Sequence, residues 1–430
     1  MYYFLTVLFM LVSSRANFIS YVEIFPVIIS GIFFVVGVQL RRFTQSDLRF
    51  FTGFLWVYLG FITVRFLFLN SIGAFYYFSD LSFLFKRILF AFLFCAVLKE
   101  KAVEYFVKII IHGAIVSLVF YALQLINGNA VFAIGSFINL PPRVGNPFYT
   151  NFLIFTYDKG HAIRNCGFAW EPGAWGCYLV MGLLLHFTLN KFKMDKYAWL
   201  LVITSITTLS TTAYLGLVCL FLLYYRVHGG KLLPFLLIAV PILTVVATQI
   251  PFLLDKIGKT YEGDMHDISS LDELSNWYDK QGEGEVHLNR FGSAIVLWNL
   301  FSWKLLWGIS NGYQGVTPML KNVNISNGDV DFFAKFGVVG FVYLMYKYIL
   351  LLKSFLHRAE YMIYCVLIVI VLAFGEPMLI FNFTLTFLFL YHYVSPDTLG
   401  WNDEEEEEEE EEVEDVKHLE YEQLALKSSN

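Results

Sequence analysis

The 430-residue sequence has few of the residues that build metal or disulfide sites. It holds five cysteines and no Cys-x-x-Cys pair, and an odd number of cysteines scattered along apolar segments is typical of small core residues. Its Asp-x-Asp pair, Asp329 and Asp331, comes at the start of an apolar segment, where carboxylates favour a helix N-terminus. We therefore predict no metal site and no cofactor.

The sequence also lacks the pattern of a cleavable signal peptide. Residues 2–14 are apolar but have no basic segment before them, so we interpret them as a first helix. The chain is 57% hydrophobic, against about 45–50% in soluble proteins. The excess lies in runs of roughly 18 or more residues, which is long enough to cross a bilayer as a helix. The composition predicts an all-α polytopic membrane protein.

We predict about twelve transmembrane helices. They cover residues 2–14, 19–40, 50–69, 81–98, 104–126, 171–190, 197–211, 213–226, 232–250, 331–353, 361–375 and 379–394. Two long loops, about 127–170 and 251–330, interrupt this series.

The short loops alternate in charge. Lysine and arginine are concentrated in every second connection, at 41–49, 99–108, 191–196, 226–231 and 353–358. The other set contains one arginine among residues 13–17, 70–80, 210–212 and 375–378. By the positive-inside rule the basic set is cytoplasmic. Both termini are then cytoplasmic and both long loops lie outside.

The last 31 residues differ in composition from the rest of the chain. Residues 400–430 contain 14 acidic side chains and two lysines, including nine consecutive glutamates at 404–412. Like charges at this density predict a solvated, disordered tail. The remaining 399 residues have 28 basic and 22 acidic side chains, a net charge of +6, and form the predicted transmembrane domain, residues 1–399.

The segment from Arg164 to Tyr178, RNCGFAWEPGAWGCY, joins a polar loop to an apolar helix. Pro172 suits the first turn of a helix, because its missing N–H would be unpaired there. Glu171 would then lie at the helix N-terminus, where negative charge is favoured. A cation and a carboxylate are thus predicted where an outer vestibule meets the membrane.

Other ionisable residues map to the same side of the membrane. Arg65, Lys86 and Arg87 fall in the outer parts of predicted helices, and such residues commonly face a cavity or a partner. We predict that they line a polar cavity that is open to the outside and binds an anionic group. Arg143, in the first long loop, is a further substrate-binding candidate.

Each long loop also pairs a histidine with an arginine. His161 precedes Arg164 by three residues, and His287 precedes Arg290 by three. Guanidinium groups suit phosphate binding, and histidine can accept a proton near neutral pH. Asn311 follows in the second loop.

The motif R-x-x-G-F-x-x-E-P-G-x-x-G at 164–176 resembles the bacterial O-antigen polymerase and O-antigen ligase superfamily. Similar stretches follow in the family's order, namely TLSTTAYLGL at 208–217, R-F-x-S-A-x-x-L-W at 290–298, WGISNG at 307–312 and SNGDVDFFAKFGVVG at 326–340. The resemblance covers residues 160 to 345. It implies glycan transfer from a polyisoprenyl-diphosphate donor, such as undecaprenyl diphosphate, at the outer face of the bacterial inner membrane.

The resemblance also implies roles for individual residues. Arg164 and Arg290 match arginines that bind diphosphate or acidic glycan, and Glu171 matches the Glu-Pro position at the helix mouth. The region of Asn324 to Asn327 matches a His-Asn segment of ligases, but Ser326 stands where the histidine would be. The general base stays open among His287, His161 and Glu171.

We predict a glycosyltransferase that polymerises O-antigen, capsule or exopolysaccharide repeat units. The alternatives are an O-antigen ligase, a transporter or flippase of lipid-linked glycans, and a membrane protein without catalytic activity. The expected partners are the lipid-linked oligosaccharide and membrane lipids, with a chain-length regulator and a flippase as further candidates. No nucleic acid is expected.

Overall fold

A computed structural model describes residues 1–22, 24–68, 73–138, 148–230, 286–356 and 358–397, together with Ile268 and Leu271. The predicted helix at 232–250, Arg143 and the acidic tail lie outside these residues. Within them the chain is mostly helical. The longer helices are α1 (Tyr2–Ser13), α3 (Ile24–Gln39), α4 (Gln45–Phe68), α5 (Ala74–Phe83), α6 (Leu89–Leu98), α7 (Lys101–Ile138), α8 (Pro172–Leu189), α9 (Lys196–Thr207), α10 (Thr211–Val227), α11 (Arg290–Phe301), α12 (Gly328–Lys353) and α13 (Ala359–Gly375).

Short elements connect these helices. They are α2 (Phe18–Tyr21), α14 (Asn382–Leu385), α15 (Phe387–Leu390), an antiparallel pair formed by β1 (Tyr149–Asn151) and β2 (Thr156–Asp158), and a parallel pair formed by β3 (Val286–Leu288) and β4 (Val323–Ile325).

Five of the described helical segments are long and apolar enough to cross a membrane. They are Gln45–Phe68, Ala74–Leu98, Lys101–Phe137, Pro172–Leu189 and Gly328–Lys353. Four shorter apolar helices accompany them, at Tyr2–Ser13, Ile24–Gln39, Thr211–Val227 and Ala359–Gly375. The chain is therefore a helical, membrane-embedded protein.

Helix α8 is the central helix of the described bundle. Every residue from Pro172 to Thr188 is buried, and the helix contacts α7, α9 and α10. The Tyr178 hydroxyl donates to the carbonyl oxygen of Ser13 at 2.7 Å. At Gly182 an added Cβ would lie 2.8 Å from Ile110, so the missing side chain allows α7 to approach closely.

The structure corrects the predicted start of the first long loop. The predicted helix ends at residue 126, but α7 continues to Ile138 across a kink at Asn127, whose φ of −153° and ψ of 84° are not helical. The residues after the kink include the apolar run VFAIGSFI. Val131 from this run is buried with Phe155 and Tyr157, so tertiary packing extends the helix beyond the expected boundary.

The last predicted helix, 379–394, is not continuous. A short 3₁₀ segment at Met378–Ile380 is followed by α14 and α15. Phe381, between the 3₁₀ segment and α14, has extended backbone angles. Residues from Met378 to Leu390 are buried. An irregular backbone is tolerated at membrane depth where protein surrounds it, and that is the environment of this segment.

Residues from the predicted basic loops meet one another in the structure. The Arg226 guanidinium pairs with Glu360 at 2.9 Å, and the Lys99 ammonium lies 3.6 Å from an Asp47 carboxylate oxygen. From the other set, Arg15, Glu376 and Pro377 line the cavity described next.

Candidate functional site

A polar cavity of about 760 Å³ lies among the loops that the sequence places outside. Ligand sites are commonly clefts of about 300–1,000 Å³, so this volume suits a sizeable polar ligand. Its lining includes four cationic side chains, two carboxyl groups and three amide side chains. These are Arg15, Lys86, Arg87 and Lys335, then Glu171 and Glu376, and then Asn311, Gln314 and Asn324.

Lys86 and Arg87 lie in a single turn of π-helix, Leu84–Ile88, between α5 and α6. A π-turn inserts one extra residue into a helix and is frequent at functional sites. Both side chains line the cavity. That this cavity is open to the outside and binds an anionic group stays a prediction.

Glu171 and Glu376 form a carboxyl pair in the cavity wall. Glu171 is the N-cap residue of α8, and its Oε1 accepts a hydrogen bond of 2.6 Å from the Trp170 indole nitrogen. Glu376 follows the last residue of α13 and is 4% exposed. Its carboxyl group is within hydrogen-bonding reach of that of Glu171. Two carboxyl groups so arranged share a proton, because like charges at short distance cannot both ionise easily.

Burial raises the pKa of Glu376 well above its usual value, and the Glu171 carboxylate raises it further. The guanidinium groups of Arg290 and Arg164 act in the opposite direction. Burial therefore favours the protonated form of Glu376. Glu171 accepts the indole N–H and lies at a helix N-terminus, where a negative charge is favoured.

Arg164 and Arg290 donate hydrogen bonds to backbone carbonyl groups beside this carboxyl pair, and neither is among the residues that line the cavity. Arg290 donates to the carbonyl oxygen of Gly375 from Nε at 3.3 Å and from Nη2 at 3.1 Å. The Nε of Arg164 donates to the Thr208 carbonyl oxygen at 3.1 Å. Both guanidinium groups are close enough to influence the charge of Glu376.

Arg65 has a different environment from the one predicted. It forms a buried ion pair with Asp80, and its Nη1 donates to the Lys335 carbonyl oxygen at 2.6 Å. Asp80 Oδ1 in turn accepts the Asn311 backbone N–H at 2.7 Å and the Ser310 hydroxyl at 3.2 Å. Arg65 thus positions the loop that carries Asn311 into the cavity and is not itself among the lining residues.

The β3–β4 pair brings together the second group of candidates. The backbone of His287 is opposite Asn324, and its side chain lies outside the described part of the chain. Asn327 caps α12 by accepting from the N–H groups of Asp329 and Val330, and its Nδ2 donates to the Arg290 carbonyl oxygen at 3.1 Å. Asn327 is buried, whereas Asn324 and Ser326 line the cavity.

His161 is not among the cavity-lining residues. Its Nδ1 lies 3.1 Å from Asp158 Oδ2, in the 3₁₀ turn Lys159–His161 that follows β2. Of the two candidate bases whose side chains the structure describes, Glu171 lines the cavity and His161 does not.

Sequence reasoning missed three charged lining residues, Arg15, Lys335 and Glu376. Arg15 is the single basic residue of its loop set, and Glu376-Pro377 repeats the Glu171-Pro172 pattern, so a sequence signal existed for both. Lys335 follows Asp331 by four residues and pairs with it at 2.6 Å. That spacing is common in helices and gave no indication of a site.

The fold and the cavity together define a helical membrane protein with a charged site enclosed by its loops. No family model matches the chain, and no curated protein or solved structure matches it.

Proposed function

We propose that this protein is a polysaccharide polymerase of the bacterial inner membrane. It transfers a growing glycan from polyisoprenyl diphosphate to a hydroxyl group of the next lipid-linked repeat unit. The observation that carries the proposal is the cavity itself, in which cationic side chains lie beside a carboxyl pair. Cations suit a diphosphate leaving group, and a carboxylate can take a proton from an acceptor hydroxyl.

The role proposed for each lining side chain follows from its position in the cavity. Arg15, Lys86 and Arg87 bind the diphosphate and stabilise the charge that develops as the sugar–phosphate bond breaks. Glu171 accepts the proton of the attacking hydroxyl as the new glycosidic bond forms. Glu376 holds its own proton beside Glu171, so the pair carries one negative charge before the reaction.

Asn311, Gln314 and Asn324 offer neutral amide groups to sugar hydroxyls. Holding the acceptor in line with the breaking bond contributes through orientation. The cavity is lined by loops that the sequence assigns to the outer side, and this supports polymerisation at the outer face with both termini cytoplasmic.

A proton-coupled transporter of anionic solutes is the second candidate. The carboxyl pair favours it, because buried ionisable groups inside helical membrane proteins often form proton relays. The two functions differ in what accumulates when the protein is absent.

The decisive experiment is glycan profiling by gel, in cells whose only copy is wild type, deleted, K86A/R87A or K108A. Lys108 pairs with Glu104 on an exposed surface of α7 and serves as the matched control. We expect deletion to leave a single repeat unit where a ladder stood, K86A/R87A to shorten the ladder, and K108A to keep it. Long chains stranded on the lipid carrier would instead indicate a ligase. An unchanged surface glycan in every strain would favour the transporter.

A further inference from the structure

A second, apolar depression of about 130 Å³ adjoins the polar cavity. It lies between α4 and α12 and is lined by aromatic and aliphatic side chains, including Phe61, Phe336 and Val339. We call it the apolar groove. Phe83 lines both the apolar groove and the polar cavity, so its side chain borders both spaces.

The junction has a specific arrangement of side chains. Phe83 precedes Lys86 and Arg87 by three and four residues in one continuous helical segment, and all three side chains line the polar cavity. The Phe83 ring also packs on Phe336 with centroids 4.7 Å apart. This helical segment therefore presents an apolar ring and two cations to the same cavity.

The apolar groove opens on the side of the helix bundle. Val57 on α4 is 55% exposed and Val339 on α12 is 36% exposed, and both helices belong to the segments that are long enough to span a membrane. A ligand chain can thus leave the groove directly into the surrounding lipid. An apolar opening next to a cationic cavity suits an amphiphile with an anionic head group.

We infer that the apolar groove binds the first part of the isoprenyl chain of a lipid diphosphate whose head group lies against Lys86 and Arg87. The inference deepens the proposed function and rests on it for the identity of the lipid. The groove is far smaller than a typical ligand pocket of about 300–1,000 Å³. It holds only the units next to the diphosphate, and the rest of the chain lies in the membrane.

Binding to the purified full-length protein in detergent tests this inference with a series of probes. The series is inorganic pyrophosphate, then geranyl, farnesyl and geranylgeranyl diphosphate, with farnesol as the chain without a charge. We expect affinity to rise by about tenfold or more from pyrophosphate to farnesyl diphosphate, because several apolar groups are buried. Affinity should then level off, and farnesol should bind weakly.

Two pairs of variants separate the groove from the general surface. V339W fills the groove from α12, and V342W places the same ring on the same helix, where Val342 is 58% exposed and does not line the groove. V57W and V64W repeat the comparison on α4. We expect V339W and V57W to abolish the gain with chain length, and V342W and V64W to keep it. R87A should lower the affinity for every diphosphate while keeping the rise in affinity with chain length.

The inference is overturned if V339W and V57W both bind all probes as the wild type does, or if farnesol binds as tightly as farnesyl diphosphate. Failure of the proposed function has a different signature. In that case affinity still rises with the length of the isoprenyl chain and V339W still abolishes this rise, while deletion leaves the cellular glycan ladder unchanged. If deletion removes the ladder but V339W and V57W bind every probe as the wild type does, the polymerase proposal is supported and the inference about the groove is wrong.

Discussion

Gly308 and Gly337 meet backbone to backbone at the point where helix α12 is broken. Both have positive φ, +75° and +72°, and a Cβ added to Gly337 would lie 2.5 Å from the Gly308 nitrogen. Next to the break, the Ile309 N–H donates to the Ala334 carbonyl oxygen at 2.7 Å, and Arg65 donates to that of Lys335. The loop that carries Asn311 and the Arg65 side chain of α4 therefore each supply a donor to a carbonyl group of the interrupted helix.

The first prediction concerns this contact. G337A adds a Cβ where neither the backbone angle nor the space permits one, so we expect it to destabilise the protein by about 1–3 kcal/mol or more. The measurement is the thermal midpoint in detergent. The polar cavity should also lose affinity for diphosphate, because the loop bearing Asn311 is displaced.

The matched control is G60A. Gly60 lies inside α4, and an added Cβ there has no neighbour within 4 Å. Alanine is better than glycine in a helix interior by about 1 kcal/mol, so G60A should be neutral or stabilising. Equal thermal midpoints for G337A and G60A would contradict the account of the broken helix.

The second prediction distinguishes the two members of the carboxyl pair. E171Q removes the proposed proton acceptor and should lower the rate of the proposed polymerisation by about 100-fold or more, the usual contribution of a general base. E376Q replaces a protonated acid with a neutral amide of similar shape, so we expect a much smaller loss. The assay is transfer between lipid-linked repeat units by purified protein.

The binding of lipid diphosphate serves as the control in that experiment, since neither glutamine variant removes a cation. Retained binding shows that the site is still folded. A larger rate loss in E376Q than in E171Q would reverse the roles assigned here.

The third prediction is a pH dependence of stability. Burial raises the pKa of Glu376 above the 4.5 of an exposed glutamate, so the folded state favours the protonated form. The contribution of Glu376 to the stability of the folded state is fully present below pH 4.5 and is lost as the pH rises through the folded-state pKa. In E376Q this loss is absent. The difference in thermal midpoint, E376Q minus wild type, should therefore grow as the pH is raised above 4.5, and a constant difference would contradict it.

The charged groups around Glu376 shape this dependence. Glu171 comes from the start of α8, Arg164 from the loop before it and Arg290 from the start of α11. The same pH series in E171Q isolates the contribution of the pair. Without the neighbouring carboxylate, the dependence in E171Q should be weaker than in wild type.

Local sequence patterns predicted a helical, membrane-embedded chain, whereas several helix boundaries and the set of cavity-lining residues depend on tertiary packing. Long apolar runs and the Glu171-Pro172 start of α8 are determined by nearby residues. Glu376 is different, because it reaches Glu171 only through the packing of α13 against α10 and of α10 against α8. Its carboxyl oxygen occupies the space that a side chain on Gly173 would fill, a contact between residues that are about 200 positions apart.

The contrast between local sequence and tertiary packing also explains why the partner of Arg65 was not predicted. Its sequence position correctly indicated a charge within an apolar helix that needs a partner. The partner is an acidic residue of the next helix, Asp80, and not an anionic ligand. Because Asp80 lies in a segment that the sequence analysis treated as a loop, the pairing could be recognised only once α5 was seen to begin at Ala74.

The last prediction tests that ion pair. R65A leaves Asp80 buried without its cation, a change that typically costs about 3–5 kcal/mol, and it also removes the donor to the Lys335 carbonyl oxygen. We expect a large drop in thermal midpoint. The exposed Lys108–Glu104 pair, with side chains 49% and 43% exposed, is the control, since K108A should change stability by about 0.5 kcal/mol or less. The double variant R65M/D80L replaces both charges with apolar groups and should recover much of the stability lost in R65A. Recovery of stability without recovery of diphosphate binding would show that the pair positions the loop of Asn311. If R65A were as stable as K108A, the ion pair would have no such role.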